Sequence, residues 1–213
     1  MTSRHPVKLV CVDLGGVIVR IRRSLAETLH AVGVPGYELD GIGEAQMRAY
    51  RASVAMHQRG EHDLRTWLDA AHDALAGRID RETIARAHDA VLIGEYPGVT
   101  YSLGAIRAAG AVTACLSNTN AAHWDQLAGS EAFRRIRRPH ASHLMGLVKP
   151  DAAIYRAFER AAGAAPGEIV FFDDLAENVD AARACGWDAV LVDHEGDTAA
   201  QVLAALRSRG VGA

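Results

Sequence analysis

Val10-Cys11-Val12-Asp13-Leu14-Gly15-Gly16-Val17 is the stretch on which the reading of this chain turns. An apolar run ends in one carboxylate and is followed at once by two glycines. A buried strand that delivers an Asp to its C-terminal tip places a nucleophile at the ligand-binding edge of a parallel sheet. The glycines let the backbone turn sharply and approach a ligand closely. The same residues also fit an ordinary strand closed by an Asp–Gly type turn. The rest of the chain separates the two.

Three later segments repeat the form, apolar run and then polar tip. Ala111-Val112-Thr113-Ala114-Cys115-Leu116 ends in Ser117-Asn118-Thr119-Asn120; Gly146-Leu147-Val148 leads to Lys149-Pro150; Ile169-Val170-Phe171-Phe172 ends in Asp173-Asp174, with Glu177-Asn178 after it. Strands are expected over 7–12, 111–116, 168–172 and 189–193, with helices at about 100–109, 120–128, 151–163, 176–185 and 199–207. Strands alternating with helices predict an α/β fold built on a doubly wound parallel sheet. Ligands bind beyond the carboxyl ends of such strands, where the polar tips fall.

Residues 24–92 read differently. Apolar side chains recur at helical spacing, as in Trp67, Ala70, Ala71, Ala74 and Leu75. Four helices are expected, broken near Gly33-Val34-Pro35-Gly36, Gly60 and Gly77, and the insert falls between the first two core strands.

The 213 residues suffice for a core domain with a smaller one, and a hydrophobic content of 49% supports a sizeable core. A net charge of −3 argues against a nucleic-acid-binding surface. No apolar run approaches the roughly 18 residues of a membrane span, and residues 1–8 are short and polar, so no secretory signal is expected. Cys11, Cys115 and Cys185 lack paired spacing and are expected to be reduced and structural, which makes the cytoplasm the default location.

The ordered set Asp13, Ser117, Lys149 and Asp173-Asp174-xxx-Asn178 resembles the haloacid dehalogenase-like (HAD) hydrolase superfamily, made up mostly of phosphatases. The motifs span residues 8 to 193. Asp-Leu-Gly-Gly, Leu-Ser-Asn-Thr-Asn and Phe-Phe-Asp-Asp are similar to a branch holding sugar-phosphate phosphatases and relatives of the N-terminal domain of soluble epoxide hydrolase. The resemblance implies a Rossmann-like core of residues 1–22 and 95–213 with a helical cap over 23–94, hinged near 21–24 and 94–98. It implies hydrolysis of a small phosphomonoester, a sugar phosphate first of all. Asp13 would be the nucleophile, forming a phospho-aspartate. Mg²⁺ would sit on Asp13, Asp174 and the carbonyl of Gly15. Asp173 and Asn178 would hold metal waters or orient Lys149. Lys149, Ser117, Asn118 and Gly16 would bind the phosphoryl group. Monomer and homodimer stay equally open.

Each residue also has a plain reading. Ser117 or Asn118 fits a cap of the next helix, Asp173 or Asp174 a cap of the helix near 176–185, and Lys149 a solvated loop. One position departs from the family pattern. Its phosphatases carry a second Asp two residues after the nucleophile, where this chain has Gly15. His57 and His62, flanking the Gly60 break, are candidates to supply the missing proton. Two other readings use the departure: a 2-haloacid dehalogenase whose Asp13 attacks carbon, or a phosphate-binding module without efficient turnover. The arginines of 20–23 lie near a hinge and suit an anionic substrate. The cluster Arg134, Arg135, Arg137 and Arg138 reads as a solvated face. His140 and His143 lack a third ligand at zinc spacing, and Gly41-Ile42-Gly43 follows no strand and is no dinucleotide motif.

Overall fold

The computed structural model describes residues 7–35 and 39–212. The polar stretch 1–6 and Gly36 of the expected first break lie outside the described residues. Seven strands among those residues form two sheets: β1 (Leu9–Val12), β2 (Val19–Ile21), β3 (Leu92–Glu95), β4 (Val112–Ser117), β5 (Arg138–Ala141), β6 (Ile169–Asp173) and β7 (Asp188–Leu191). Five of them make a parallel sheet in the order β5-β4-β1-β6-β7, with β1 at its centre. The chain runs outward from β1 to one side and then crosses to β6 on the other. That reversal opens a crevice at the carboxyl ends of the middle strands.

Period-2 alternation explains the layering. Val10, Val12, Cys115, Val170 and Phe172 face one way, against α5 (Val99–Ala108) and α10 (Thr198–Arg207). Leu9, Cys11, Ala114, Leu116 and Phe171 face the other, against α8 (Ala152–Ala162) and α9 (Ala176–Ala184). A parallel sheet covered on both faces needs near-continuous apolar strands, which is what β1, β4 and β6 supply. All three cysteines are free and buried.

The apolar run at 146–148 forms no strand. The local strand is β5, followed by the short helix α7 (Ser142–Met145), and Gly146 ends that helix in the left-handed conformation at φ 68°. Lys149 is therefore reached by a loop. The residue-type signal at β5 is poor because Arg-Pro-His-Ala is an edge strand, the place where a sheet tolerates proline.

Between β2 and β3 lie α1 (Leu25–Ala31), α2 (Glu44–Gln58), α3 (Leu64–Ala74) and α4 (Arg81–Asp89). Ser24, Asp63 and Asp80 cap three of them by accepting the Glu27, Thr66 and Thr83 N–H groups. Leu25, Leu29, Trp67, Ala71, Leu75 and Ile84 give the insert its own apolar core. The antiparallel β2–β3 ribbon ties its two ends together. At the α2–α3 turn, Gly60 has φ 74° and a Cβ there would stand 2.5 Å from the His143 carbonyl oxygen. Only glycine lets that turn sit so close to α7. Among the described residues no helix is long and apolar enough to cross a membrane.

Candidate active site

Register brings the first and last motifs together. Val12 lies opposite Phe172, and the Asp13 N–H donates to the Phe172 carbonyl at 2.7 Å. Asp13 and Asp173 thus emerge side by side at the tips of β1 and β6. Lys149 Nζ sits between them, 3.1 Å from Asp13 Oδ1 and 2.7 Å from Asp173 Oδ2, with its side chain fully buried. A buried ammonium is tolerable only when paired in this way.

The plain readings fail one by one. Helix α6 (Ala121–Ala128) is capped by Asn120, whose Oδ1 accepts the His123 N–H, so neither Ser117 nor Asn118 caps it. The N-cap of α9 is Leu175, not an aspartate. Lys149 is buried, not solvated.

Asp173 has both oxygens engaged. Oδ1 accepts from the Leu175 N–H at 2.9 Å and Asn178 Nδ2 at 3.0 Å, and Oδ2 accepts from Lys149. It is placed to orient the lysine. Asn118 holds the same lysine by its main chain: Nδ2 donates to the Lys149 carbonyl at 2.9 Å, and Oδ1 accepts the Lys149 N–H at 2.8 Å. Its amide is therefore taken up by positioning, a role that residue type and spacing do not reveal.

Electrostatics follow from burial. Desolvation pushes the Asp13 carboxyl up to about 7, against the pull of Lys149 and with the repulsion of Asp173 and Asp174. Burial lowers the Lys149 pKa, but the Asp13 and Asp173 carboxylates more than offset it and hold the ammonium charged.

Carboxylate oxygens of Asp13, Asp173 and Asp174 lie within 4.8 Å of one another. With Asp173 engaged, Asp13 and Asp174 are left to bind a cation. An oxygen-only donor set of this kind fits a small hard ion such as Mg²⁺ and suits zinc or copper poorly. Asp174 Oδ2 is 2.5 Å from Arg23 Nη2, which brings one arginine of the 20–23 cluster into the site. Gly16, at φ 79°, makes room for this: a Cβ there would stand 2.3 Å from Asp174 Cγ and 2.6 Å from Arg23 Nη2.

A cavity of about 740 Å³ rises from the site into the insert. Leu14, Gly15, Ser117 and Asn118 line its floor, and His57, Trp67 and His88 lie on its insert side. His62 is not on this wall. Instead its carbonyl accepts a hydrogen bond from His57 Nδ1 at 2.8 Å. His88 stacks on His123 at 4.0 Å, and Asn120 Nδ2 donates to His88 Nε2 at 3.1 Å and to His123 Nδ1 at 3.2 Å. These contacts join α4 to α6, and nothing in the spacing of His88, Asn120 and His123 announces them.

The pattern of the haloacid dehalogenase-like hydrolase family matches residues 7–186. Phosphatase MT3486 of Mycobacterium tuberculosis is 40% identical over 70 residues, covering 33% of this chain and 32% of the relative. Acyl-CoA dehydrogenase family member 10 of Mus musculus is 33% identical over 117 residues, covering 53% of this chain and 10% of the relative. Each match thus spans a third or less of the relative's own length. Among solved structures, the HAD family enzyme BT-2542 of Bacteroides thetaiotaomicron superposes with a TM-score of 0.73 at 22% identity, over 91% of this chain and 97% of that one. It has also been crystallised with magnesium and inorganic phosphate. The L-2-haloacid dehalogenase of Xanthobacter autotrophicus gives 0.63 at 18% identity, over 97% and 84%. The fold is shared by both, and the match over most of its length makes this chain a member of the haloacid dehalogenase-like hydrolase family.

Proposed function

We propose that the chain is a Mg²⁺-dependent phosphatase that hydrolyses a small phosphomonoester in the cytoplasm through a phospho-Asp13 intermediate. The observation that carries this is the Asp13–Lys149–Asp173 arrangement beside a third carboxylate, Asp174, with its own oxygens free of the lysine. A dehalogenating Asp needs no metal for its attack on carbon, whereas Asp174, although held at one oxygen by Arg23, stands close enough to Asp13 to share a small hard cation with it. The relatives point the same way, one bearing the name phosphatase and one crystallised with magnesium and phosphate.

Asp13, Asp174 and the Gly15 carbonyl would hold Mg²⁺, which when bound supplies positive charge against the phosphoryl oxygens. Lys149 keeps a fixed charge on the same oxygens and holds Asp13 in place. Ser117 and the Asn118 N–H would donate to the phosphoryl group, while the Thr119 N–H is held by Ser142 Oγ. An Asp13 oxygen attacks phosphorus; the aspartyl–phosphorus bond forms as the ester oxygen–phosphorus bond breaks, and the alcohol departs. Water then attacks the phosphorus of phospho-Asp13, releasing inorganic phosphate and restoring the carboxylate. The insert over 23–94 acts as the cap, shutting bulk water out of the crevice.

His57 is set as an acceptor. Its Nδ1 hydrogen is held by the His62 carbonyl, and burial lowers its pKa. It is therefore no source of the missing proton. With Gly15 in place of the second Asp, the leaving oxygen takes its proton from water, at a cost of about 10²- to 10⁴-fold relative to a positioned acid. The test is phosphate release from a panel of phosphomonoesters, with and without Mg²⁺. Release that requires the metal and disappears in Asp13→Asn supports the proposal; metal-independent halide release from 2-haloacids overturns it.

A further inference from the structure

Among the described residues three arginines line the cavity, and each has a partner. Arg22 donates to the Ala90 carbonyl at the hinge, and Arg51 pairs with Glu44 within the insert. Arg23 pairs with Asp174, Nη2 to Oδ2 at 2.5 Å. The first two partners serve nothing else at the site. The third is a carboxylate that the cation also needs.

Asp174 requires a counter-charge. Its side chain is only 2% exposed, and a buried carboxylate left unpaired is costly. Arg23 is the one side chain that hydrogen-bonds it among the described residues. A divalent cation on the same carboxylate brings two charges where the guanidinium brings one. The two cations would then face each other across one buried group, where water screens little. The guanidinium is the one able to leave. Its side chain is 28% exposed and extends from the loop between β2 and α1, whereas Asp174 is packed against the Gly16 turn.

Charge balance says where it goes. With Asp13 ionised for attack, the carboxylates of Asp13, Asp173 and Asp174 face the cations of Lys149 and Arg23, and negative charge is in excess. A divalent cation reverses the sign, and an incoming phosphoryl group is the anion that cancels it. Nη2 is already in place for such a group. It lies 2.6 Å from where a Gly16 Cβ would stand, beside the turn that follows directly on Asp13.

We propose that Arg23 is a further phosphoryl-binding residue that exchanges partners: it pairs with Asp174 until Mg²⁺ binds there, and then turns to the phosphoryl oxygens of the substrate. This rests on the phosphatase reading for the cation and the phosphoryl group.

The experiment is calorimetric titration of wild type and Arg23→Gln, first with Mg²⁺ alone and then with inorganic phosphate at saturating Mg²⁺. Arg23→Gln is expected to bind Mg²⁺ about tenfold more tightly, because the competing cation is gone. It is expected to bind phosphate about tenfold more weakly, the scale of one lost hydrogen bond to a charged group. A residue that only supports the fold or steadies Asp174 would weaken Mg²⁺ binding instead. Arg23→Lys keeps the charge and is expected to stay within about threefold of wild type in both titrations, since the pair rests on one contact and not a bidentate fork. Mg²⁺ binding that does not tighten in Arg23→Gln, or phosphate binding that does not weaken, overturns the proposal, as does an Arg23→Lys that behaves like Arg23→Gln. Opposed shifts in a protein that hydrolyses no phosphomonoester would sink the phosphatase reading and leave the exchange standing. Metal-dependent phosphate release by wild type, with both affinities unchanged in Arg23→Gln, would do the reverse.

Discussion

Asn118 and Lys149 exchange two hydrogen bonds, side-chain amide to main-chain carbonyl at 2.9 Å and main-chain N–H to side-chain oxygen at 2.8 Å. A residue just past the tip of β4 thereby fixes the backbone of a loop that arrives from α7, and Nζ falls between Asp13 and Asp173. Asn118→Ala is expected to lower kcat by about 10²-fold, the scale of a 1 Å misplacement of a catalytic group. KM and Mg²⁺ affinity should change far less. Steady-state kinetics beside calorimetric metal titration separates this from loss of fold.

Removing the lysine charge has a larger and pH-dependent consequence. Lys149→Met leaves Asp13 and Asp173 buried without their common partner. Breaking a buried ion pair costs about 3–5 kcal/mol, so urea denaturation at pH 7 should show a loss of that order. Burial already raises Asp13 to about 7 with the lysine present. Without it, the carboxyl protonates more readily as the pH falls, which removes one of the two charges. The deficit relative to wild type should therefore shrink as the pH falls toward 7 and level off below it, where both proteins carry the proton.

The α4–α6 contact gives stability the opposite response. Burial, and then the neighbouring His123, lowers the His88 pKa to about 4. His57 and His123 are also lowered by burial, and Asp89 is the nearest counter-charge to His88. Above pH 6.5 His88 is neutral folded and unfolded. Below it the unfolded chain binds a proton that the folded chain refuses, so stability falls until the folded ring protonates near pH 4. The loss from this one group is on the order of 2 kcal/mol by pH 5. Urea midpoints at pH 7.5 and pH 5 measure the slope, and His88→Gln should flatten it.

How much of this is legible in the residues depends on where each group sits. Asp13, Ser117, Asp173 and Asp174 can be read because each closes or follows an apolar run at a strand tip. The doubly wound sheet can be read because β1, β4, β6 and β7 are punctuated by helices with clear periodicity. Lys149 can be picked out by type and order but not by element, since Gly146-Leu147-Val148 looks like a strand until Gly146 adopts a positive φ. The β2–β3 ribbon escapes notice because its strands are three and four residues long and pair across the whole insert. The Asn118 clamp and the Arg23–Asp174 pair escape for a related reason. They depend on which long-range neighbours tertiary packing supplies, and a linear spacing holds no record of that.

Gly16 tests the cation site. Alanine there would place a Cβ 2.3 Å from Asp174 Cγ at φ 79°. Left-handed strain in a non-glycine residue costs about 1–3 kcal/mol, and Asp174 must move. Gly16→Ala is expected to weaken Mg²⁺ binding by at least about tenfold, on the scale of 1.4 kcal/mol per decade, measured by calorimetry on a protein whose circular dichroism remains native.

Gly15 tests the missing acid. A Cβ at this position meets Ile21 Cδ1 at 3.0 Å, the movable end of a side chain. Gly15→Asp alone is expected to gain little, because Ile21 crowds the new carboxyl. Combined with Ile21→Ala, it should raise turnover of alkyl phosphates by about 10²-fold, the lower end of general-acid assistance, and leave aryl phosphates nearly unchanged. A gain that is the same for both ester types would show that proton supply was not the deficit.

The central claim is a phosphoryl group carried on Asp13. The direct measurement is acid quenching during turnover of an aryl phosphate with Mg²⁺, and then peptide mass spectrometry. The expected result is one added phosphoryl group on the peptide containing Asp13, present only with the metal and absent from Asp13→Asn. Turnover with no phosphorylated peptide, or with the group on another residue, would contradict it.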